Sequence, residues 1–282
     1  MLLRPLHPAD LPAAAQVAGG GTAAVSRAGD TAVAAAPAWE RRARHLLATD
    51  PAGAWLAERD GRVLGAALAL RRDGWWVLSS LDVVPGADGE GVGRLLMERA
   101  VTYGAAALRG AICAGPDPRA LALYRAFGHR LHPTMRLEGV VERTALPVVR
   151  SVRDGAADLD LADAVDWLVR GAPHGPDHQM LAQDHGLLVA ESPSGRGYAW
   201  AGADGPSVLA ATDVGTAREL LWEVLARAPA QRPITLDRVT AEQDWAVDLA
   251  VRAGLAVSPG AVICLRGMPR LPAPYVPSAH YG

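Results

Sequence analysis

The densest chemistry in the sequence lies between Val83 and Gly128. Val83-Val84-Pro85-Gly86-Ala87-Asp88-Gly89-Glu90-Gly91-Val92-Gly93-Arg94-Leu95-Leu96 reads as a strand end, a glycine-dense loop and the start of a helix. The helix carries Val92, Leu95, Leu96, Ala100 and Tyr103 on one apolar face. Backbone amides at such a junction have no intrahelical partner and sit at the positive end of the helix dipole, which suits an anion such as a pyrophosphate. Glycine removes the Cβ that would hold that anion away from the backbone. The same pattern taken alone also describes a plain strand–helix connector. Downstream, Ala120, Leu123, Tyr124 and Phe127 share one helix face, with Asp117 as N-cap, Pro118 at N1 and Gly128 at C′. Helix grammar accounts for Asp117 and Gly128. It does not account for a tyrosine in the buried stripe.

Together the two stretches resemble the paired signature of the GCN5-related N-acetyltransferases (GNAT). The first half, Gln/Arg-x-x-Gly-x-Gly/Ala before an apolar helix, is matched by Gly91-x-Gly93 with Leu95-Leu96 behind it. The second, Asn-x-x-Ala-x-x-Leu-Tyr-x3-Gly-Phe, is matched by Ala120, Leu123, Tyr124 and Gly128. Asp88 stands where the family has Gln or Arg, Glu90 adds an acid, Asp117 replaces Asn and His129 replaces Phe. A carboxylate beside a phosphate costs on the order of 1 kcal/mol, against about 1.5–3 kcal/mol for each backbone hydrogen bond to the anion. Binding is therefore expected to survive in weakened form, with Arg94 offsetting part of the cost.

The resemblance implies an acetyl-CoA co-substrate and no metal. It places the co-substrate against Leu81, Asp82, Val83 and Val84 on the strand, Asp88, Gly89, Glu90, Gly91, Val92, Gly93 and Arg94 on the loop and helix start, and Asp117, Ala120 and Tyr124 beyond. It implies that the Val84 amide polarises the acetyl carbonyl and that Tyr124 protonates the departing CoA sulfur. The acetyl group would pass by direct attack to a primary amine of a small-molecule acceptor. An aliphatic amine is mostly protonated at neutral pH, so a base or a water chain is needed; Asp82, Glu58 and His129 are the candidates, Asp82 foremost. A non-catalytic acyl-CoA sensor or scaffold is the alternative.

The elements that must position these groups read as a mixed α/β domain. Strands at Leu2–Leu6, Ala54–Glu58, Val63–Leu70 and Trp75–Val84 precede a helix–strand–helix run over 92–104, 110–114 and 118–127. Asp60-Gly61 signals a tight hairpin between the second and third strands. A loose Gly/Ala stretch, 19–36, separates the first helix, opening near Leu11, from one over Trp39–Leu47. After Gly139 the programme restarts: Ala157-Asp158-Leu159 echoes Ala9-Asp10-Leu11, and Gln243-x-x-Ala246-x-x-Leu249-Ala250-x3-Gly254 overlays the run from Asp117 to Gly128. The expectation is two tandem GNAT-like domains, 1–139 and 146–282, each a mixed, mostly antiparallel sheet flanked by helices. The second copy carries Asp213-Val214-Gly215 in place of the glycine cluster and Ala250 in place of the tyrosine. It is expected to be degenerate, with an extended Pro-rich tail docked on a domain surface.

Size agrees, since 282 residues exceed what one core usually fills. All 28 basic residues are arginine, the formal net charge is −2 and no basic cluster suits nucleic acid. No apolar run reaches the roughly 18 residues a membrane span needs, and Leu11–Ser26 is too polar and glycine-rich for a signal core. Cys113 and Cys264 lie in separate apolar runs and read as core thiols of a reduced compartment. The expected protein is cytoplasmic, a monomer or homodimer, with no nucleic-acid or membrane partner.

Overall fold

Four antiparallel neighbours open the chain: β1 (Leu2–Pro5), β2 (Ala54–Arg59), β3 (Arg62–Arg72) and β4 (Trp75–Val83). The computed structural model describes residues 1–20, 32–87 and 89–282. Asp88 and most of the Gly/Ala stretch therefore lie outside the described residues. Asp60 and Gly61 both have positive φ, 50° and 76°, which turns β2 straight into β3 with Arg59 opposite Arg62. Helices α1 (Leu11–Gly20) and α2 (Ala32–Thr49) precede β2, then α3 (Val92–Tyr103), β5 (Arg109–Ala114) and α4 (Pro118–Ala126) follow β4. β5 runs parallel to β4, from Trp75 opposite Arg109 to Leu78 opposite Ile112. The second helix begins at Ala32, earlier than the sequence pattern suggested, and tolerates Pro37 inside it.

Two compact units result. The first comprises Met1–Leu131 with Ile263–Met268 and His280–Gly282; the second comprises His132–Val262 with Pro269–Ala279. The boundary thus falls eight residues before the expected Gly139, and two late segments join the first unit. The physical reason for the first of these is strand pairing: β12 (Ala256–Arg266) neighbours β5, which buries Ile263, Cys264 and Leu265 completely. Neither cysteine is in a disulfide.

Helix α3 packs close to β3 because Gly65 has no side chain. A Cβ there would lie 2.8 Å from the Asp82 carbonyl oxygen and 2.9 Å from Leu96 Cδ1. Gly65→Ala is therefore expected to lower the melting temperature by several degrees, because backbone on β4 would have to move; an unchanged melting curve would contradict this packing.

In the second unit β6 (Arg130–Gly139) pairs antiparallel with β11 (Ile234–Val239) and neighbours β12. A separate sheet runs β13 (Tyr275–Val276), β10 (Gly205–Ala211), β9 (Arg196–Gly202), β8 (Gly186–Glu191), β7 (Val152–Asp154), all antiparallel. Helices α5 (Leu159–Val169), α6 (His178–Asp184) and α7 (Val214–Arg227) flank it, and α8 (Asp244–Arg252) packs against α7 and β11. Its core gathers Leu188, Leu209, Leu220, Leu225, Leu236 and Leu249. Each unit is a mixed α/β layer structure, as expected. Among the described residues no helix is long and apolar enough to cross a membrane.

Candidate active site

The site starts where β4 and β5 part. Their pairing ends at Leu78 and Ile112, and β4 bulges against β3 at Ser79, the residue skipped between Leu68–Ser80 and Ala69–Leu78. A bulge bends and re-aims the strand beyond it. In antiparallel pairing successive residues turn their backbone groups to opposite edges. The Val84 amide donates to the Leu64 carbonyl at 2.9 Å, on the β3 edge. It is therefore spent in the sheet, and the role expected of it at an acetyl carbonyl does not fit. Alternation turns Leu81 and Val83 to the opposite edge, which β5 has left.

The glycine loop follows. Gly86, Gly89 and Gly91 have φ of 92°, 81° and 81°, and no atom comes within 4 Å of where their Cβ would be. These glycines supply backbone that other residues rarely adopt and leave space above it. Gly91 N-caps α3, and Leu95 is the first residue whose amide is taken within the helix, by the Gly91 carbonyl at 3.0 Å. The amides of Val92, Gly93 and Arg94 precede that first bond, at the positive end of the dipole. Gly93 ties the two halves of the motif together: a Cβ there would lie 3.7–3.8 Å from Val83, Leu81 and Leu123 side chains. Glu90 does not oppose an anion freely, because Arg59 pairs with it at 2.5 Å. Arg94 lies along its own helix, 3.2 Å from Glu98 and 5.5 Å from the Phe127 ring centroid.

Asp117 accepts the Arg119 amide at 2.9 Å and caps α4, the role its position requires. Ala120 is half-buried one turn into α4. Tyr124 is the residue α4 buries, and no hydrogen bond among the described residues engages its hydroxyl. Burial first, then Cys264, Asp82 and Asp117, hold its phenol above the ordinary range, so it stays protonated.

The three base candidates separate cleanly. Glu58 is tied to Arg4 at 2.8 Å, and Arg4 also holds Asp10 at 2.7 Å, so it sits in a satisfied ion network. His129 is fully buried against Trp76, with ring centroids 5.7 Å apart, and its Nδ1 donates to the Tyr124 carbonyl at 3.2 Å. It belongs to the core; burial, with Arg266 nearby, pushes its pKa down to about 4. Asp82 alone remains. It is 3% exposed and accepts from the Ser80 hydroxyl, which accepts from Trp39 Nε1 at 2.9 Å. Burial pushes its pKa up to about 6, against the opposing pull of Ser80, Arg42 and Trp39.

Sequence reasoning missed the wall around Asp82. Trp39 and Arg42 lie three residues apart on α2, both buried. Two further residues come close by: His280 Nδ1 donates to the Ser79 carbonyl at 3.3 Å, and Tyr281 meets His45 edge-on at 6.3 Å. The i, i+3 spacing of Trp39 and Arg42 was the one available signal.

His129 supplies a pH test. It is neutral when folded, with a pKa of about 4 against the ordinary 6.5, so its stabilising contribution is present above 6.5 and lost as pH falls. Between pH 7 and 5 the wild type should lose about 2 kcal/mol more stability than His129→Gln, read by denaturant melts. Equal losses in the two proteins would contradict a buried neutral His129.

With this geometry in place, the comparisons with known proteins are decisive for the first unit. Residues 26–129 match the sequence profile of the acetyltransferase (GNAT) family. The first unit is a GNAT acetyltransferase domain. The chain is accordingly an acyltransferase. An acetyltransferase structure from Pyrococcus horikoshii matches 99% of this chain and 94% of its own at a TM-score of 0.77 and 14% identity. A GCN5-related N-acetyltransferase from Sphaerobacter thermophilus matches 94% of this chain and 95% of its own, TM-score 0.59, 21% identity. Eis1 from Mycobacterium abscessus matches 93% and 73%, TM-score 0.54, 16% identity. At these identities the likeness is one of fold, and it extends over both units. No curated protein matches the chain by sequence.

The second unit differs at its corresponding helix start. Asp213 caps α7, accepting the Thr216 amide at 2.9 Å and its hydroxyl at 2.6 Å. A carboxylate thus engages the first turn of α7, whereas no side chain caps α3. This unit also brings half-buried Asp163 beside buried Asp166 and His178, with potential ligand atoms within 4.8 Å of one another. His178 Nδ1 accepts from Trp200 Nε1 at 3.1 Å, so a neutral ring carries its proton on Nε2, facing Asp163 at 3.0 Å. That nitrogen has no lone pair for a cation, and the cluster reads as a satisfied hydrogen-bond network.

Proposed function

We propose that the chain transfers an acetyl group from acetyl-CoA to a primary amine by direct attack, with Tyr124 as general acid and Asp82 as general base. The observation that carries this reading is the gathering of Leu81, Val83 and Leu123 around Gly93. It sets the open strand edge, the anion-binding helix start and the turn before Tyr124 about one wedge. That wedge suits a linear molecule with amide groups along its arm, a pyrophosphate at one end and a thioester at the other. The Val83 or Leu81 amide, on the open edge, takes the polarising part first expected of Val84.

Acetyl-CoA supplies the activated acetyl group; the chain's residues supply the protons and the geometry. Asp82 accepts a proton from the acceptor ammonium and passes it to solvent; the freed amine nitrogen forms the new C–N bond, and the second proton it then sheds leaves by the same route. As the C–S bond breaks, Tyr124 donates its proton to sulfur, and the tyrosinate is reprotonated from solvent. The sum is an N-acetylated amine and free CoA thiol. Asp82 with a pKa near 6 is ionised at neutral pH and able to act as base.

Glu90 paired with Arg59 and Asp117 engaged as a cap remove two acids that weighed against co-substrate binding. The test is acetyl-CoA-dependent thiol release across a panel of amino acids, peptides, polyamines and aminoglycosides. Amine-dependent release is the expected result. Binding of acetyl-CoA without release for any amine would favour an acyl-CoA sensor.

A further inference from the structure

Arg42 is the least accounted-for charge in the first unit. It is 9% exposed, its Nε has no hydrogen-bond partner, and among the described residues no hydrogen bond or ion pair engages its guanidinium. It shares the buried wall with Asp82 through Trp39, three residues earlier on α2, which donates to the Ser80 hydroxyl that in turn donates to Asp82; against burial, Tyr281 and then Asp82 favour its charge. A buried guanidinium is costly to leave unpaired, and five fixed N–H donors match a carboxylate better than any other common group. Two opposite charges held apart in one buried wall leave complementary positions for a positive and a negative group.

We propose that Arg42 receives a carboxylate of the acceptor while Asp82 receives its amine, so that the acceptor is a zwitterion of the amino-acid type. This rests on the reading of Asp82 as the base for acetyl transfer. The polarity follows from charge alone: the ammonium end faces the carboxylate of Asp82 and the carboxylate end faces the guanidinium of Arg42. Acceptors with several positive charges and no acid, such as polyamines and aminoglycosides, would place a cation against Arg42 and are disfavoured. Trp39, one turn before Arg42 and bonded to Ser80, fixes the face of α2 that presents the guanidinium.

The experiment compares amino acids with their carboxamides as acceptors, in the full chain with saturating acetyl-CoA, by thiol release. The acid is expected to exceed its amide at least tenfold in kcat/KM. Arg42→Gln should cut that acid-to-amide ratio at least tenfold, with acetyl-CoA binding by calorimetry retained as the control for folding. Amides or polyamines used as well as amino acids would overturn the proposal while leaving acetyl transfer intact. Acetyl-CoA binding with no amine turned over would instead sink the transferase reading, and this inference with it. Should Arg42→Gln fail to fold, the acid-to-amide ratio of the wild type decides alone.

Discussion

Tyr124→Phe is expected to lower kcat by about 10²–10⁴ while leaving the Kd for acetyl-CoA within a few-fold of the wild type. The ring stays and keeps its packing on α4; only the hydroxyl goes, and no hydrogen bond among the described residues depends on it. Stability should therefore barely change, which separates a chemical role from a packing one. The raised phenol means a protonated acid is present throughout the working pH range. Its proton moves only as negative charge develops on sulfur, so the loss belongs to kcat rather than to ground-state binding. Stopped turnover with retained binding supports the assignment. Undiminished turnover would make Tyr124 a core residue with a spare hydroxyl.

Asp82→Asn is expected to cost about 10²–10³ in kcat/KM near neutral pH and to remove the acid limb of the pH profile. In the wild type, activity should fall as pH drops through about 6, where Asp82 takes up a proton and can no longer act as base. Stability runs the other way. The folded-state pKa lies above the unfolded value, so the contribution of Asp82 is present at low pH and lost as pH rises through about 6. An amide of the same shape escapes that penalty, so the melting temperature at pH 7 should hold or rise even as activity collapses. A variant that keeps its activity and its acid limb would point to a water chain in place of Asp82.

Much of this site was legible in the residues before their placement. The two half-motifs identified the loop, α3 and α4, because glycine at positive φ, an N-cap and a 3.6-residue stripe are local properties. Gly91 and Asp117 sit where those rules put them. What the sequence could not reveal depends on register and on distant pairing. Val84 looked equivalent to Val83 until the β3–β4 ladder fixed which amide is spent on Leu64. A one-residue choice reverses which edge a backbone group faces, and a bulge at Ser79 decides it. Likewise Glu58 and His129 were candidates until Arg4 and the Trp76 core claimed them. Arg42 sits between basic neighbours, Arg41 and Arg44, and only its position three after Trp39 marks it as facing inward. Ile263–Met268 joins the first unit for the same reason, since β12 lies beside β5, far from its place in the chain.

The central claim is that the first unit alone holds acetyl-CoA, on the glycine loop and the start of α3. Calorimetric titration of the full chain with acetyl-CoA tests it most directly. The account predicts one site per chain, weakened by Gly91→Val, where a side chain at positive φ strains the loop. Two sites per chain would contradict the blocked α7 terminus in the second unit, and no binding at all would contradict the account as a whole.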